Sequence, residues 1–553
     1  MTDVIVVGSG PGGVNAATAL VEAGRRVLLL DYGNQDRRYA ALIPNQPFSE
    51  IRRSDPGQHR YFLGDDFEGI PFGPVRVGAQ LTPPRMHILA DAAERIPVET
   101  DGFSLSMSLA RGGLGAGWSA GVFPFSDAEL GAMGLRLADM QPHYDAVAER
   151  IGVAGDRDDL EALLPSSPSM MPGLELDTNA EVVFARYARV RASLNARGFF
   201  LGKTRLAACT RRHRDRGPER YHDMSYCADL DRSVYRPQWT LEELSRNAHF
   251  AYLDRRFVTG FSETGERVRV STVHADGGAE EVHEARAAVL AAGTVGSAWI
   301  VLRSLGRYDA PIPMLCNAYA YVPTINLGMI GRTPRDRRSS LAQLTALVRI
   351  AAAQGTSAGP GSSGVAAGVE HQERLIQAQL FSYRSLLTFK LMKEFPLPLR
   401  ESLRILRLLI PYFAVLGIHH TDRPAPGKYC LLRRGAQGAA DRLEIAYRQS
   451  GEEERMQVED ERAVVRCFRR LGCLPLKTIR PGHGASLHYA GTFPMLPGSD
   501  DSLTCDGDGR LRATRAVYLA DGSVFPWIPP KGLTFNLMAH ADRVGKRLAK
   551  RLA

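Results

Sequence analysis

A buried strand that runs directly into a glycine-rich turn opens this chain and decides its fold. Residues 4–13 read Val4-Ile5-Val6-Val7-Gly8-Ser9-Gly10-Pro11-Gly12-Gly13. Four consecutive β-branched residues are typical of a strand that is covered on both faces of a parallel sheet. The segment from Val14 to Ala23 then has helical spacing and is followed by Gly24. The stretch therefore predicts a strand–turn–helix unit at the start of an α/β domain.

The spacing Gly-x-Gly-x-x-Gly within this stretch is that of a dinucleotide-binding turn. Gly8 permits the tight turn, Gly10 lets the backbone approach a pyrophosphate, and Gly13 lets helix and strand pack closely. The N-terminus of the helix, at Pro11, then faces the phosphates. A second apolar strand ends at Asp31, roughly 20 residues after the first glycine, where a carboxylate can accept a hydrogen bond from the ribose. The sequence therefore predicts a bound dinucleotide.

Two later segments look like additional walls of a deep nucleotide site and favour FAD over NAD. Residues 111–121 place five glycines around Trp118. So many glycines imply that the backbone passes close to a flat or charged group, although a flexible loop is the alternative interpretation. Residues 286–292 form another apolar strand that ends at Ala292 and Gly293, with a helix predicted from Trp299.

In these motifs the sequence resembles the glucose–methanol–choline family of FAD-dependent oxidoreductases. The matching pieces occur in the order of the family and span about half of the chain. They are Gly8-x-Gly10-x-x-Gly13, Arg111-Gly112-Gly113, residues 291–297, His488-Tyr489-Ala490-Gly491-Thr492 and residues 519–526. The resemblance implies an α/β fold, in which a Rossmann-like FAD-binding domain of the p-hydroxybenzoate-hydroxylase type is interleaved with an α+β substrate domain built on an antiparallel sheet.

The resemblance also implies the residues of the site. His488 is the catalytic base, which takes the proton of a substrate alcohol while hydride passes from the same carbon to flavin N5. A histidine suits this role because its ordinary pKa lies near neutral pH. The residues implied to hold FAD are Gly8, Gly10, Pro11, Gly13, Asp31, Arg111, Gly112, Gly113, Gly117, Trp118, Val258, Ala292, Gly293, Asp521, Gly522, Leu533 and Thr534. No metal site is predicted.

The sequence departs from the family at the second catalytic position. In the family this residue is a histidine or an asparagine at the start of the C-terminal helix, and here the position falls on Gly532. Asn536 lies one turn further and reaches the position only if the register shifts, whereas Lys531 or Thr534 could supply a polar group instead. We therefore take Asn536 as the second catalytic candidate, beside the preferred interpretation that it is a structural residue inside the helix. The helix N-terminus at Leu533 and Thr534 is expected to face the flavin.

The motifs divide the chain into two interleaved domains. Residues 1–150, 174–307 and 479–553 are predicted to bind FAD, and residues 151–173 and 308–478 are predicted to bind the substrate. Within the second domain, residues 354–368 are rich in Gly, Ser and Ala and predict a loop or lid. Residues 381–418 mix apolar and basic side chains and could lie on a membrane. Helices buried in the substrate domain are the preferred interpretation, so membrane contact is not expected.

Composition limits the classes of protein that remain. With 553 residues, 44% of them hydrophobic, the chain can bury a large core. Its seven cysteines are scattered without a Cys-x-x-Cys pair, which indicates neither a zinc site nor a disulfide framework and fits a reducing, cytoplasmic compartment. The net charge of +9 is spread along the chain, and no motif for binding nucleic acid accompanies it.

Together these features predict an FAD-dependent enzyme that oxidises an alcohol (CH–OH) to a carbonyl. The substrate is expected to be a small molecule, such as a sugar, an aminosugar or another natural-product intermediate, and the electron acceptor to be oxygen or another molecule. Two alternatives stay open. The enzyme could catalyse a redox-neutral reaction, such as a lyase reaction, because Gly532 removes a usual catalytic group. The protein could also be a catalytically silent flavoprotein that acts as a binding partner.

Overall fold

The computed structural model of the protein describes residues 2–69, 82–224, 227–332, 341–350, 374–382, 397–435 and 440–553. Its strands are β1 (Val4–Val7), β2 (Val27–Leu30), β3 (Val98–Asp101), β4 (Phe199–Lys203), β5 (Phe250–Leu253), β6 (Arg256–Thr264), β7 (Arg267–His274), β8 (Glu281–Ala285), β9 (Ala287–Leu290), β10 (Ile312–Pro313), β11 (Leu315–Cys316), β12 (Tyr319–Asn326), β13 (Leu344–Ile350), β14 (Arg374–Phe381), β15 (Phe413–His419), β16 (Lys428–Arg433), β17 (Arg442–Tyr447), β18 (Cys473–Pro475), β19 (Tyr489–Ala490) and β20 (Val517–Leu519).

The α-helices of the described residues are α1 (Pro11–Glu22), α2 (Phe48–Ser54), α3 (His59–Phe62), α4 (Ala92–Arg95), α5 (Asp127–Gly131), α6 (Leu137–Ile151), α7 (Thr178–Asn195), α8 (Pro237–Leu244), α9 (Thr294–Ser304), α10 (Leu399–Leu409), α11 (Gly451–Arg470) and α12 (Thr534–Arg551). Short 3₁₀ turns cover Ala40–Leu42, Pro83–Ile88, Gly113–Gly117, Asp159–Ala162, Leu327–Met329, Ile410–Tyr412 and Gly522–Val524.

A parallel sheet forms the nucleotide-binding half. Its five strands lie in the order β20-β9-β1-β2-β5, and β1 pairs in parallel with both β2 and β9. All four residues of β1 are buried, because helices cover the sheet and leave no face of this central strand in water. Helices α1 and α12 pack together, and their apolar side chains join those of the strands in one core. An antiparallel ribbon, β6-β7-β8, accompanies this sheet.

An antiparallel sheet forms the other half. Its six strands lie in the order β18-β12-β15-β14-β13-β4. Residues alternate between its two faces, so that Ala378 and Ile418 enter a core with helices α7 and α11, whereas Gln377 and His419 point to the opposite face. The predicted combination of a Rossmann-like domain with a domain built on an antiparallel sheet is therefore confirmed. A smaller sheet, β10-β16-β17-β3, adjoins these layers.

The structure differs from the sequence analysis in how it groups residues 174–204. This segment was assigned to the FAD-binding domain, but β4 pairs with β13 and α7 packs into the core of the antiparallel sheet. The reason is that the apolar residues Phe199 and Leu201 alternate along β4 and complete that core at its edge. No local pattern in the segment shows which of the two sheets it joins.

One boundary and one segment also differ from prediction. Helix α9 begins at Thr294 and not at Trp299, with Gly293 as its N-cap. In residues 381–418, predicted as buried helices, the described parts are the end of β14, the helix α10 and the strand β15. Residues 383–396 lie outside the described residues, as does the loop or lid predicted for residues 354–368.

Three further predictions concern the cysteines, membrane contact and metal binding in the described ranges. All seven cysteines are free thiols there. None of the described helices has the length and apolar character that crossing a bilayer requires. The same part of the chain contains no grouping of three or more His, Cys, Asp or Glu side chains that could hold a metal ion.

Candidate active site

One continuous cavity runs from the glycine-rich turn to the antiparallel sheet. Its nucleotide end is lined by the turn after β1, by the end of β2 and by the segment that enters α9. Its other end is lined by alternate residues of β12, β14 and β15. His488 and the first residues of α12 lie along the cavity as well. Most of the predicted nucleotide residues and His488 therefore line a single cavity.

The three glycines of the turn have different physical roles. Gly8 has a φ of +96° and a Cβ on it would lie 2.6 Å from the carbonyl oxygen of Ala291, so no other residue fits without strain. A Cβ on Gly13 would lie only 1.8 Å from the carbonyl oxygen of Gly8, which shows that this glycine lets helix and strand pack closely. A Cβ on Gly10 would meet no protein atom within 4 Å, because this residue faces the cavity.

Asp31, at the end of β2, is buried and lines the same cavity. The hydroxyl of Ser9 donates a hydrogen bond to its carboxylate, and the Tyr252 hydroxyl donates a second at 3.2 Å. Burial raises the pKa of Asp31 to about 6, although these hydrogen bonds act in the opposite direction. At neutral pH the group is a carboxylate that is already oriented by two partners and can accept a hydrogen bond from a ribose.

The segment from Arg111 to Trp118 forms a second wall over the glycine-rich turn. The backbone N–H of Gly112 donates to the Ser9 hydroxyl at 2.9 Å and joins this wall to the turn. Gly113, Gly117 and Trp118 line the cavity, and the Trp118 indole N–H donates to the Tyr235 carbonyl at 2.8 Å. The Arg111 guanidinium lies over the Tyr252 ring, 5.5 Å from its centroid, outside the cavity lining. Arg111 and Gly112 thus hold this wall in place without lining the cavity.

The remaining predicted FAD contacts converge from four places along the chain. The Asp521 carboxylate accepts a hydrogen bond from Ser297 of α9 at 2.6 Å, which ties the C-terminal segment to the start of that helix. The predicted residues of these segments that line the cavity are Val258, Ala292, Gly293, Asp521, Gly522, Leu533 and Thr534. Helices α1 and α12 both begin at the cavity, so their unpaired N–H groups face it. These features fit a bound dinucleotide that carries a flat ring.

Asn317 orients His488, and the sequence analysis did not find it. The Asn317 amide nitrogen donates to the carbonyls of His420 and Pro529, so its oxygen must face the imidazole. That oxygen lies 3.1 Å from Nδ1 of His488. Because an amide oxygen only accepts, Nδ1 must carry the proton. Nε2 is therefore the ring nitrogen that can accept a proton from a substrate.

The surroundings keep His488 neutral. Burial lowers its pKa from 6.5 to about 4. The His419 ring, at the end of β15, stacks on it with 5.4 Å between the centroids and an interplanar angle of 28°. The pKa of His419 also lies well below its ordinary value, because of its own burial and the nearby His488 and His420. Two neutral imidazoles thus lie side by side, although only one of them was predicted.

Gly532, the position that the resemblance assigns to the second catalytic residue, lies close to His488. A Cβ on Gly532 would lie 3.9 Å from Cε1 of His488, so this position borders the proposed base without supplying a side chain. Lys531 points elsewhere and forms an ion pair with Glu129 at 2.6 Å in the protein interior. Of the alternatives for a polar group at this place, Thr534 lines the cavity.

Asn536 is not brought to the cavity. Its amide oxygen accepts from the backbone N–H of Phe125 at 2.9 Å and from the Tyr144 hydroxyl at 2.8 Å. Its amide nitrogen donates to the carbonyls of Phe123 at 2.9 Å and Gly532 at 3.2 Å. The side chain is buried and does not line the cavity. These four hydrogen bonds give Asn536 a structural role at the start of α12.

We expect the substitution Asn536→Leu to lower the free energy of unfolding by roughly 3 kcal/mol, because it leaves buried backbone groups without partners. The rate of flavin reduction per bound flavin should stay at the wild-type value. Chemical denaturation and anaerobic stopped-flow absorbance measure the two quantities, with Asn45→Leu at an exposed position as the control. A large loss of rate at unchanged stability would instead restore the catalytic interpretation of Asn536.

Comparison with known proteins agrees with this geometry. Residues 3–41 match a family model described as an FAD binding domain. No curated protein sequence matches the chain. Pyridoxine 4-oxidase from Mesorbium loti superposes with a TM-score of 0.58 at 16% identity, over 99% of this chain and 99% of that one. An FAD-dependent oxidoreductase from Chaetomium thermophilum, in complex with a fragment, superposes with a TM-score of 0.55 at 13% identity, over 100% and 99%.

These comparisons confirm two predictions made from the sequence. The cofactor is FAD, since the matched segment contains the glycine-rich turn and Asp31. The fold is confirmed over the whole length by the two solved structures. The chain thus carries an FAD-binding domain within the fold of FAD-dependent oxidoreductases of the glucose–methanol–choline type.

Proposed function

We propose that this protein oxidises an alcohol carbon of a small molecule to a carbonyl, with FAD as the cofactor and His488 as the base. The observation that carries the proposal is the geometry of His488. Its imidazole lines the cavity between the nucleotide turn and the antiparallel sheet, and its Nδ1–H donates to Asn317. This leaves Nε2 unprotonated on a residue that reaches the substrate end of the cavity.

Each part of the site has a role in this reaction. FAD, when bound, supplies the acceptor for the hydrogen and two electrons that leave the carbinol carbon. His488 Nε2 accepts the proton of the hydroxyl, and Asn317 holds the ring in the required tautomer. Because burial lowers the pKa of His488 to about 4, the imidazolium readily returns its proton to water after the reaction. Gly532 leaves room beside the imidazole for the substrate.

One observation favours a second candidate function. The position of the usual second catalytic residue is Gly532, whose added Cβ would lie 3.9 Å from His488 Cε1. A site without that group could instead catalyse a redox-neutral reaction, such as a lyase reaction, with a single base. A catalytically silent flavoprotein is the other alternative. Against both, a structural neighbour is named pyridoxine 4-oxidase, and His488 is oriented as a base requires.

An anaerobic screen of alcohols against the purified holoenzyme tests the proposal. We expect the visible absorption of the flavin to bleach with at least one alcohol and the carbonyl product to form in equal amount. A substrate that is converted without any net bleaching would support the redox-neutral reaction. A flavin that no alcohol bleaches and no added compound turns over would support the silent flavoprotein.

The pH dependence of flavin reduction follows from the protonation of His488. Its pKa is depressed to about 4, so the neutral form persists above that value and the rate should fall as the pH drops through about 4. Substitution Asn317→Asp places a carboxylate beside Nδ1 and should move this acidic limb to higher pH. Anaerobic stopped-flow absorbance measures both profiles.

Two details make this pH measurement decisive. In the unfolded chain His488 binds a proton below pH 6.5, whereas in the folded protein it does so only below about pH 4. The free energy of unfolding therefore falls as the pH is lowered from 6.5 to 4, and brief pH jumps should be used. The uncharged variant Asn317→Leu should slow the reaction without an upward shift of the acidic limb. Identical profiles for the wild type and Asn317→Asp would contradict the assigned contact.

A further inference from the structure

The end of the cavity away from the glycine-rich turn is lined by one face of the antiparallel sheet, on which several side chains are polar. We call this face the sheet wall, and its members are Tyr319, Tyr321, Gln377, Gln379, Phe381, Val415 and His419. Gln377 on β14 and His419 on β15 are direct partners across the two strands. Since partners in an antiparallel pair place their side chains on the same face, these two polar groups lie next to each other.

Both residues carry a buried polar atom that lacks a partner within the described part of the chain. Gln377 is 1% exposed, and its Oε1 accepts no hydrogen bond there. Nδ1 of His419 has no hydrogen-bond partner there either. A buried polar group without a partner destabilises a protein, so two neighbouring ones in the lining of a cavity indicate that a ligand satisfies them.

The pair lies beside the proposed base. The rings of His419 and His488 stack with 5.4 Å between their centroids, and the Tyr319 ring lies 4.7 Å from that of His419. Because His488, His419 and Gln377 line one cavity, a small molecule whose hydroxyl meets His488 can place its neighbouring atoms against His419 and Gln377. This spacing suits a second polar group on the adjacent or the next-but-one carbon.

We propose, on the basis of the proposed function, that Gln377 and His419 form a recognition subsite for a second, uncharged hydrogen-bonding group of the substrate alcohol. The group is a hydroxyl or a ring N–H close to the reacting carbon, because the unpartnered Oε1 of Gln377 can only accept a hydrogen bond. It is uncharged because glutamine carries no charge and burial, together with His488 and His420, keeps His419 neutral. The substrate class is thus a neutral 1,2- or 1,3-related dihydroxy compound or an analogue in which an N–H group replaces the second hydroxyl.

Two isomers of hydroxybenzyl alcohol test this proposal, because they share size, charge and composition. The 2-hydroxy isomer places its second hydroxyl in the 1,3 relationship, whereas the 4-hydroxy isomer places it beyond reach of the pair. We expect the 2-hydroxy isomer to bind the holoenzyme about tenfold more tightly, as one additional buried hydrogen bond would provide. Perturbation of the flavin absorbance under anaerobic conditions measures both affinities without requiring turnover.

Variants of the pair provide the decisive comparison. Gln377→Leu and His419→Phe should each abolish the preference for the 2-hydroxy isomer and retain FAD. Gln343→Leu is the matched control, because Gln343 is also buried beside the same sheet but bonds to the Asp177 backbone N–H at 2.9 Å and does not line the cavity. This variant should keep the preference even if its stability is lower.

The outcomes separate this inference from the proposed function. A preference that depends on Gln377 and His419, without bleaching by either isomer, would support the subsite and contradict alcohol oxidation by this site. Equal affinities of the two isomers, no binding of either, or a preference that survives both substitutions would overturn the subsite, whether or not other alcohols reduce the flavin.

Discussion

Replacement of His488 by alanine is expected to lower the rate of flavin reduction by substrate by about 10²- to 10⁴-fold, the usual contribution of a positioned general base. The cause is the loss of Nε2, to which the substrate hydroxyl passes its proton. FAD content should remain at the wild-type level, because the predicted cofactor contacts lie on other segments. Anaerobic stopped-flow absorbance at neutral pH measures the rate, and the spectrum of the released flavin gives the content.

One control variant and one contrary result test whether the imidazole of His488 is the base. His249→Ala removes an exposed histidine that does not line the cavity, and its rate should match that of the wild type. If His488→Ala reduces its flavin as fast as the wild type, the imidazole is not the base, and its hydrogen bond with Asn317 is structural only. The alcohol would then lose its proton to another group of the cavity.

The glycines of the nucleotide turn give the second large prediction. Of two similar substitutions, one should lower the stability of the apoprotein and the other should lower the affinity for FAD. Gly13→Ala would place a Cβ 1.8 Å from the Gly8 carbonyl oxygen, so helix α1 must separate from β1. We expect the free energy of unfolding of the apoprotein to fall by about 3 kcal/mol or more. Thermal and chemical unfolding of deflavinated protein measure this loss.

Gly10→Ala should leave the apoprotein as stable as the wild type, because its Cβ would meet no protein atom within 4 Å and its φ is −63°. The same methyl group faces the cavity and should hold the pyrophosphate away from the N–H groups of α1. We expect FAD to bind about tenfold more weakly, since a hydrogen bond to a charged group contributes about 1.5–3 kcal/mol. Titration of apoprotein with FAD measures this affinity.

Gly451→Ala is the control for both glycine substitutions. Gly451 lies at the exposed start of α11 and also has no atom within 4 Å of an added Cβ, so neither stability nor FAD affinity should fall. If Gly10→Ala bound FAD as tightly as the wild type, the pyrophosphate would not lie over this residue. If Gly13→Ala were as stable as the wild type, the close packing of α1 on β1 would not matter for folding.

Local sequence was sufficient to predict much of the nucleotide site, because the residues that form each part of it are consecutive in the chain. The strand Val4–Val7 was predicted at its observed bounds, and the cavity-lining positions of Gly8, Gly10 and Asp31 follow from strand–turn–helix geometry. The interior position of Asn536 could also be judged from the sequence, since it lies one turn beyond the start of the C-terminal helix. Helix α9 was placed five residues too late because Gly293 was taken as part of a longer turn and not as the N-cap.

The sequence by itself thus determined the FAD-binding domain, the class of fold and His488 as the residue to test. Only the tertiary structure decided what surrounds that histidine. Asn317, Gln377 and His419 come from the segment before β12 and from strands β14 and β15, far from one another and from residue 488 along the chain. Their meeting depends on strand register and on the packing of the sheet against the nucleotide domain. A motif consists of residues that are neighbours along the chain, whereas a substrate pocket is formed by residues that are neighbours across strands.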